Sequence, residues 1–135
     1  MNSNSKIISR LALLLVANVL FFSVGCGPEK EKLFRVHGQA TFKGKAIPKG
    51  NVFFDPDLSK GTSGQQGFAG IVDGAFDTSA PDGQGIRKGA YVIRVQAFDG
   101  KALPDYPFGT GLTTEFVMKK SFTEDDNTLE IAIGK

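Results

Sequence analysis

Ten consecutive residues, Phe34 to Lys43, alternate between two faces. Phe34, Val36, Gly38, Ala40 and Phe42 lie on one, and Arg35, His37, Gln39, Thr41 and Lys43 on the other. Side chains recur every two residues only in an extended strand, so this pattern requires a sheet with one face buried and the other in water. From Leu33 onward no window sustains a helical apolar period, while several more repeat with period two. Asn51 to Asp55 puts Val52 and Phe54 on one face. Gly67 to Val72 runs into Asp73-Gly74, a favoured two-residue hairpin turn, and returns through Ala75 to Thr78. Ala90 to Phe98 sets Tyr91, Ile93, Val95 and Ala97 against Val92, Arg94, Gln96 and Phe98. Thr113 to Phe122 and Thr128 to Ile133 complete seven strands. Leu58 to Gln66, rich in Gly, Ser, Thr and Gln, reads as a mobile loop. The expectation is an all-β domain, a single seven-stranded antiparallel β-sandwich. The chain has twelve phenylalanines and no tryptophan, and the ten phenylalanines beyond Leu33 are available to fill the space between sheets about 10 Å apart.

Upstream of this domain the chain has a different character. Lys6 and Arg10 form a short positive region, Leu11 to Phe22 an apolar run, and Ser23-Val24-Gly25 lead to Cys26, the one cysteine. A membrane-crossing helix needs roughly 20 apolar residues, and this run is interrupted by Asn18 and ends sooner. The arrangement is that of a secretory signal helix. With small residues immediately before the cysteine, it resembles the bacterial lipoprotein signal peptide. That resemblance implies cleavage before Cys26, acylation of its sulfur, and anchoring by a diacylglycerol with, commonly, a third acyl chain such as palmitate. Ser23 stands where most lipoboxes carry leucine, so cleavage by the ordinary signal peptidase is the alternative. A lone cysteine in an exported protein otherwise calls for an intermolecular disulfide or a reactive thiol, and acylation removes that need. Gly27 is not the aspartate that retains some lipoproteins in the inner membrane, which leans towards the outer membrane over the cell membrane. The resulting division is residues 1–25 signal peptide, 26–32 lipidated cysteine and polar tether, and 33–135 β domain.

Removing the signal peptide changes the charge balance. The chain has 16 basic and 14 acidic residues, but Lys6 and Arg10 leave with the signal and every acidic residue lies beyond Cys26, so the mature balance is 14 against 14. A neutral domain gives no support for nucleic-acid binding and argues against polybasic docking on membranes. Anchoring then falls to the acyl chains, each buried methylene contributing about 0.8 kcal/mol.

Several local motifs now combine. Phe42-Lys43-Gly44-Lys45-Ala46-Ile47-Pro48, Val52-Phe53-Phe54, Asp73-Gly74-Ala75-Phe76 and Lys88-Gly89-Ala90-Tyr91-Val92-Ile93-Arg94-Val95 resemble the carboxypeptidase regulatory-like, or transthyretin-like, β-sandwich, itself immunoglobulin-like in architecture. The pattern is similar to that of small planctomycete-type exported lipoproteins. Lys88 departs from it, since proline often precedes that glycine. The resemblance implies a non-catalytic accessory module and supplies no active-site residue.

The residues themselves offer little chemistry. The sole histidine, His37, lies on the polar face of the first strand, which leaves neither a base beside a nucleophile nor a histidine–cysteine zinc set. Gly61-Thr62-Ser63-Gly64 and Gly83-Gln84-Gly85 lack the lysine and helix of a phosphate loop. Asp55 with Asp57, Asp73 with Asp77, and Glu124-Asp125-Asp126-Asn127 show no recognised calcium spacing and read as turn residues. Neither a cofactor nor a metal is expected. Tyr106 and Phe108, in the long loop with Pro104 and Pro107, are the candidate recognition residues, against the simpler reading of aromatics that staple the loop to the core. The sequence thus points to a membrane-anchored, non-enzymatic interaction or structural module of the cell envelope. The alternative is a glycan-binding or adhesion module.

Overall fold

In the computed structural model, residues 32–123 and 126–134 are described. The signal segment, Cys26, the tether up to residue 31, and Glu124 and Asp125 of the acidic cluster lie outside them. Among the described residues eight strands follow one another: β1 (Arg35–Phe42), β2 (Lys45–Ala46), β3 (Lys49–Pro56), β4 (Gly67–Val72), β5 (Ala75–Asp77), β6 (Gly89–Phe98), β7 (Phe116–Phe122) and β8 (Asp126–Ile133). Among the described residues no helix is long and apolar enough to cross a membrane.

The period-two pattern becomes burial directly. Val36 and Ala40 of β1, Val52 and Phe54 of β3, Ala69 and Ile71 of β4, and Tyr91, Ile93, Val95 and Ala97 of β6 all turn inward. Leu129, Ile131 and Ile133 of β8 do the same. At the centre the Phe122 ring meets Phe54 and Tyr91 edge-to-face, both with centroids 5.9 Å apart, a geometry that matches the positive ring edge to the negative ring face. The Tyr91 hydroxyl accepts a hydrogen bond from the Arg87 backbone N–H at 3.0 Å, so the one polar atom of this ring is satisfied.

The strands hydrogen-bond into a single curled sheet. From one side it runs β8, β1, β5, β4, β3, β6, β7, with β2 sharing an edge of β1 with β5. The hairpin expected at Asp73-Gly74 is present: both residues have positive φ, 50° and 84°, and Val72 pairs with Ala75. Lys43-Gly44 makes a second turn of the same kind, φ 49° and 75°, between β1 and the short β2.

Two expectations are revised. The pairing is not antiparallel throughout, because β8 lies parallel to β1 over its whole length, Arg35 opposite Asp126 through Phe42 opposite Ile133. A parallel pair needs a long crossover, and here nearly the entire domain lies between the partners. The approach is close at Gly38, where an added Cβ would sit 1.8 Å from the Leu129 carbonyl oxygen. The stretch from Leu58 to Gln66 is also not a free loop. Leu58–Lys60 is a turn of 3₁₀ helix capped by Asp57, whose carboxylate accepts from the Ser59 N–H, and the buried Thr62 hydroxyl accepts from the Ala90 N–H at 2.8 Å. Side-chain caps replace the ladder bonds that a loop lacks.

Candidate functional site

The connection from β6 to β7 carries Tyr106 and Phe108, and its backbone is closely tied. Asp99 anchors it: its Oδ1 accepts from the Lys101 and Thr110 N–H groups, both at 3.0 Å, while its own N–H donates to the Thr110 carbonyl. Further in, Gly100 N–H donates to Phe108 O, and Leu103 and Tyr106 exchange a reciprocal pair of bonds at 3.0 Å. Gly109 has φ 85°, and a Cβ there would lie 2.0 Å from Asp99 Oδ1, so glycine is required for the loop to close on its anchor.

This ordered backbone displays apolar side chains outward. Tyr106 is 63% exposed, Leu103 52% and Phe108 45%. The Phe108 ring rests on Phe98 with centroids 5.7 Å apart, and Phe98 is on the outer face of β6. The aromatics therefore do not staple the loop into the core. Phe108 leans on the outside of the sheet, and Tyr106 extends into solvent.

Three of the acidic residues weighed for calcium, Asp55, Asp57 and Asp77, are engaged elsewhere. Asp55 accepts from Arg94 Nε at 2.5 Å and from Gln66, and the Arg94 guanidinium, over the Phe53 ring, also reaches Glu115 at 3.1 Å. The Arg94 hydrogen bond holds the Asp55 carboxyl below its ordinary value and in turn raises Arg94. Asp57 is lowered mainly by the Ser59 hydroxyl. Asp77 takes two nitrogens of Arg35, at 3.0 and 2.6 Å, and caps Ser79, so Arg35 above all holds its carboxyl far below the usual range. Among the described residues no three His, Cys, Asp or Glu side chains converge as a metal site. His37 is half-buried on the outer face of β1, in register with Asp77 and Thr128.

One feature escaped sequence reasoning. An open cleft of about 670 Å³ lies at the end of β6 and β7, with Lys60, Lys88, Lys119 and Lys120 around it and Tyr91 and Phe122 beneath. Asp57 also lines it, its Oδ2 3.8 Å from Lys119 Nζ. These lysines come from three separate segments, and only the adjacent Lys119-Lys120 pair was a visible signal.

Comparison with other proteins adds no assignment. No family model, curated protein or solved structure matches the chain. The functional reading therefore stands on residues and geometry.

Proposed function

We propose that this chain is an exported bacterial lipoprotein, held to an envelope membrane by acylated Cys26, whose β domain is a non-catalytic interaction or structural module. The observation that carries the interaction role is the loop from Asp99 to Gly111. A backbone fixed by at least six hydrogen bonds presents Leu103, Tyr106 and Phe108 to solvent. Exposed apolar side chains on an ordered loop lose little conformational freedom on binding, and aromatic residues are over-represented where partners meet. The lipoprotein part rests on the residues before Cys26. A transthyretin-like sandwich is the finer reading of the fold. It is supported by the way Val36, Ala40, Leu129 and Ile131 on one side of the curl share one core with Val52, Ile93 and Phe122 on the other.

Glycan binding is the second reading, favoured by the ring of Tyr106, which is free enough to stack on a sugar. A photo-reactive group placed at position 106 in intact cells distinguishes the two. The interaction reading expects a discrete protein adduct that weakens at least several-fold in a Phe108→Ala background. Adducts to glycan alone favour the second reading. Labelling identical to that from exposed Glu130 in β8 contradicts both.

A further inference from the structure

The neutral balance of the mature chain hides an uneven distribution. Among the described residues, Lys60, Lys88, Lys119 and Lys120 ring the cleft against one lining carboxylate, Asp57, which already accepts from Ser59. In sequence Glu124 and Asp125 follow directly after the lining residue Thr123. The Lys120 stem lies on the core side of β7 with Met118 and Phe122, and its ammonium is 5.6 Å from the Phe122 ring centroid. Long basic side chains so placed keep an apolar stem against protein and a charged head at the rim.

The cleft lies beside the start of the domain. The ammonium groups of Lys32 and Lys88 sit over the same Phe34 ring, 5.3 and 5.2 Å from its centroid, and Lys88 also lines the cleft. Lys32 stands only six positions after Cys26. Fully extended, that length spans at most about 22 Å. If Cys26 holds the chain to a bilayer, this end of the domain cannot leave the headgroup region by more than that. Such confinement keeps this end of the domain close enough to come within a Debye length of the surface, about 8 Å at physiological salt, where charges still attract.

We propose that the lysine-lined cleft docks the phosphate headgroup of an anionic phospholipid in the membrane that holds the anchor. The inference rests on the lipoprotein reading above and extends it: the acyl chains retain the protein, and the cleft orients the domain. Lysines near an anionic surface each strengthen association by about fivefold, so a cluster of this size sets an orientation where a single residue would not. The same orientation leaves exposed groups remote from the cleft in solvent.

The test uses the mature protein in nanodiscs of phosphatidylglycerol with phosphatidylcholine, or of phosphatidylcholine alone, with acetylation of each lysine followed by mass spectrometry. Lys60, Lys119 and Lys120 are expected to react about fivefold or more slowly in the anionic discs, with Lys101 unchanged and the protection lost near 0.5 M salt. A Lys60→Gln, Lys119→Gln variant of unchanged melting temperature is expected to lose protection at Lys120. Equal rates in both discs overturn the proposal. So does equal protection by inorganic phosphate over neutral discs, which would identify a site for soluble phosphate. The N-terminal peptide in the same digest reports whether Cys26 is acylated. Should it carry no lipid, the anchoring reading fails by itself. The same lysines are then compared with anionic and neutral vesicles added to the chain: protection by the anionic vesicles sustains the cleft assignment, and its absence overturns it.

Discussion

Asp99 and Thr110 bond to each other twice, the Asp99 N–H to the Thr110 carbonyl and the Thr110 N–H to the Asp99 carboxylate, each at 3.0 Å. This reciprocal clasp closes the base of the loop that exposes Tyr106. It converts a proline- and glycine-rich connection into a fixed surface, together with the bonds that Gly100, Lys101, Leu103, Tyr106 and Gly109 make within the loop. Ordered loops that expose apolar side chains are a common form of interaction site.

Opening the clasp should loosen the loop and leave the domain folded. Asp99→Ala removes two acceptor contacts, worth about 1–2 kcal/mol locally. Exchange of the Lys101 and Thr110 amides is then expected to accelerate about tenfold, with little change at β3 or β6. Gly109→Ala, whose Cβ would collide with Asp99 Oδ1, should have a similar or larger effect. Hydrogen exchange resolved by residue checks both, and unchanged protection at Lys101 would contradict the assignment of Asp99 as anchor.

Acid sensitivity follows from two carboxylates. Arg35 depresses Asp77 and Arg94 depresses Asp55, so in each case the folded state favours the ionised form. Their contribution is present above the unfolded value near ~3.9 and is lost as pH falls below it towards the folded values. Both pairs are partly exposed, which limits each to about 1 kcal/mol. Urea unfolding at pH 7 and pH 2.5 should show the loss, with a smaller difference for Asp77→Asn. A wild-type midpoint independent of pH would exclude this linkage.

Much of the architecture was legible because alternation is local. β1, β3, β4 and β6 and the Asp73-Gly74 hairpin each depend on neighbours within a few residues. The pairing of β1 with β8 is a different matter, since Gly38 and Leu129 are joined by no local pattern, and only their juxtaposition makes the pair parallel. The segment after Asp57 read as a mobile loop because its composition is polar, whereas its order comes from Ser59 and Thr62 bonds to groups near in space. The loop was identified as a place for recognition, but the outward direction of Tyr106 was not readable from its aromatic content. Net charge concealed the lysine cleft for the same reason: a sum carries no positions.

The parallel pairing can be tested at its tightest point. Gly38→Ala places a methyl group against the Leu129 carbonyl and is expected to cost about 3 kcal/mol through forced strand separation. Gln39→Ala, beside it on the exposed face, should stay within about 0.5 kcal/mol. Equal denaturation midpoints for the two variants would argue against this register.

The aromatic centre should dominate stability. Phe122→Ala removes a ring packed on both Phe54 and Tyr91 and is expected to cost about 3–5 kcal/mol. Val117→Ala on the same strand, half exposed, should be nearly neutral. Calorimetric melting of both variants reads the difference directly.

Intact mass of the protein extracted from membranes tests the anchored-module account at its base. The expected species begins at Cys26 and exceeds the polypeptide mass by a diacylglycerol, with or without a further acyl chain, while Cys26→Ser accumulates as unprocessed, lipid-free precursor. A soluble chain with unmodified Cys26, or a Cys26→Ser variant that incorporates lipid normally, would contradict the account.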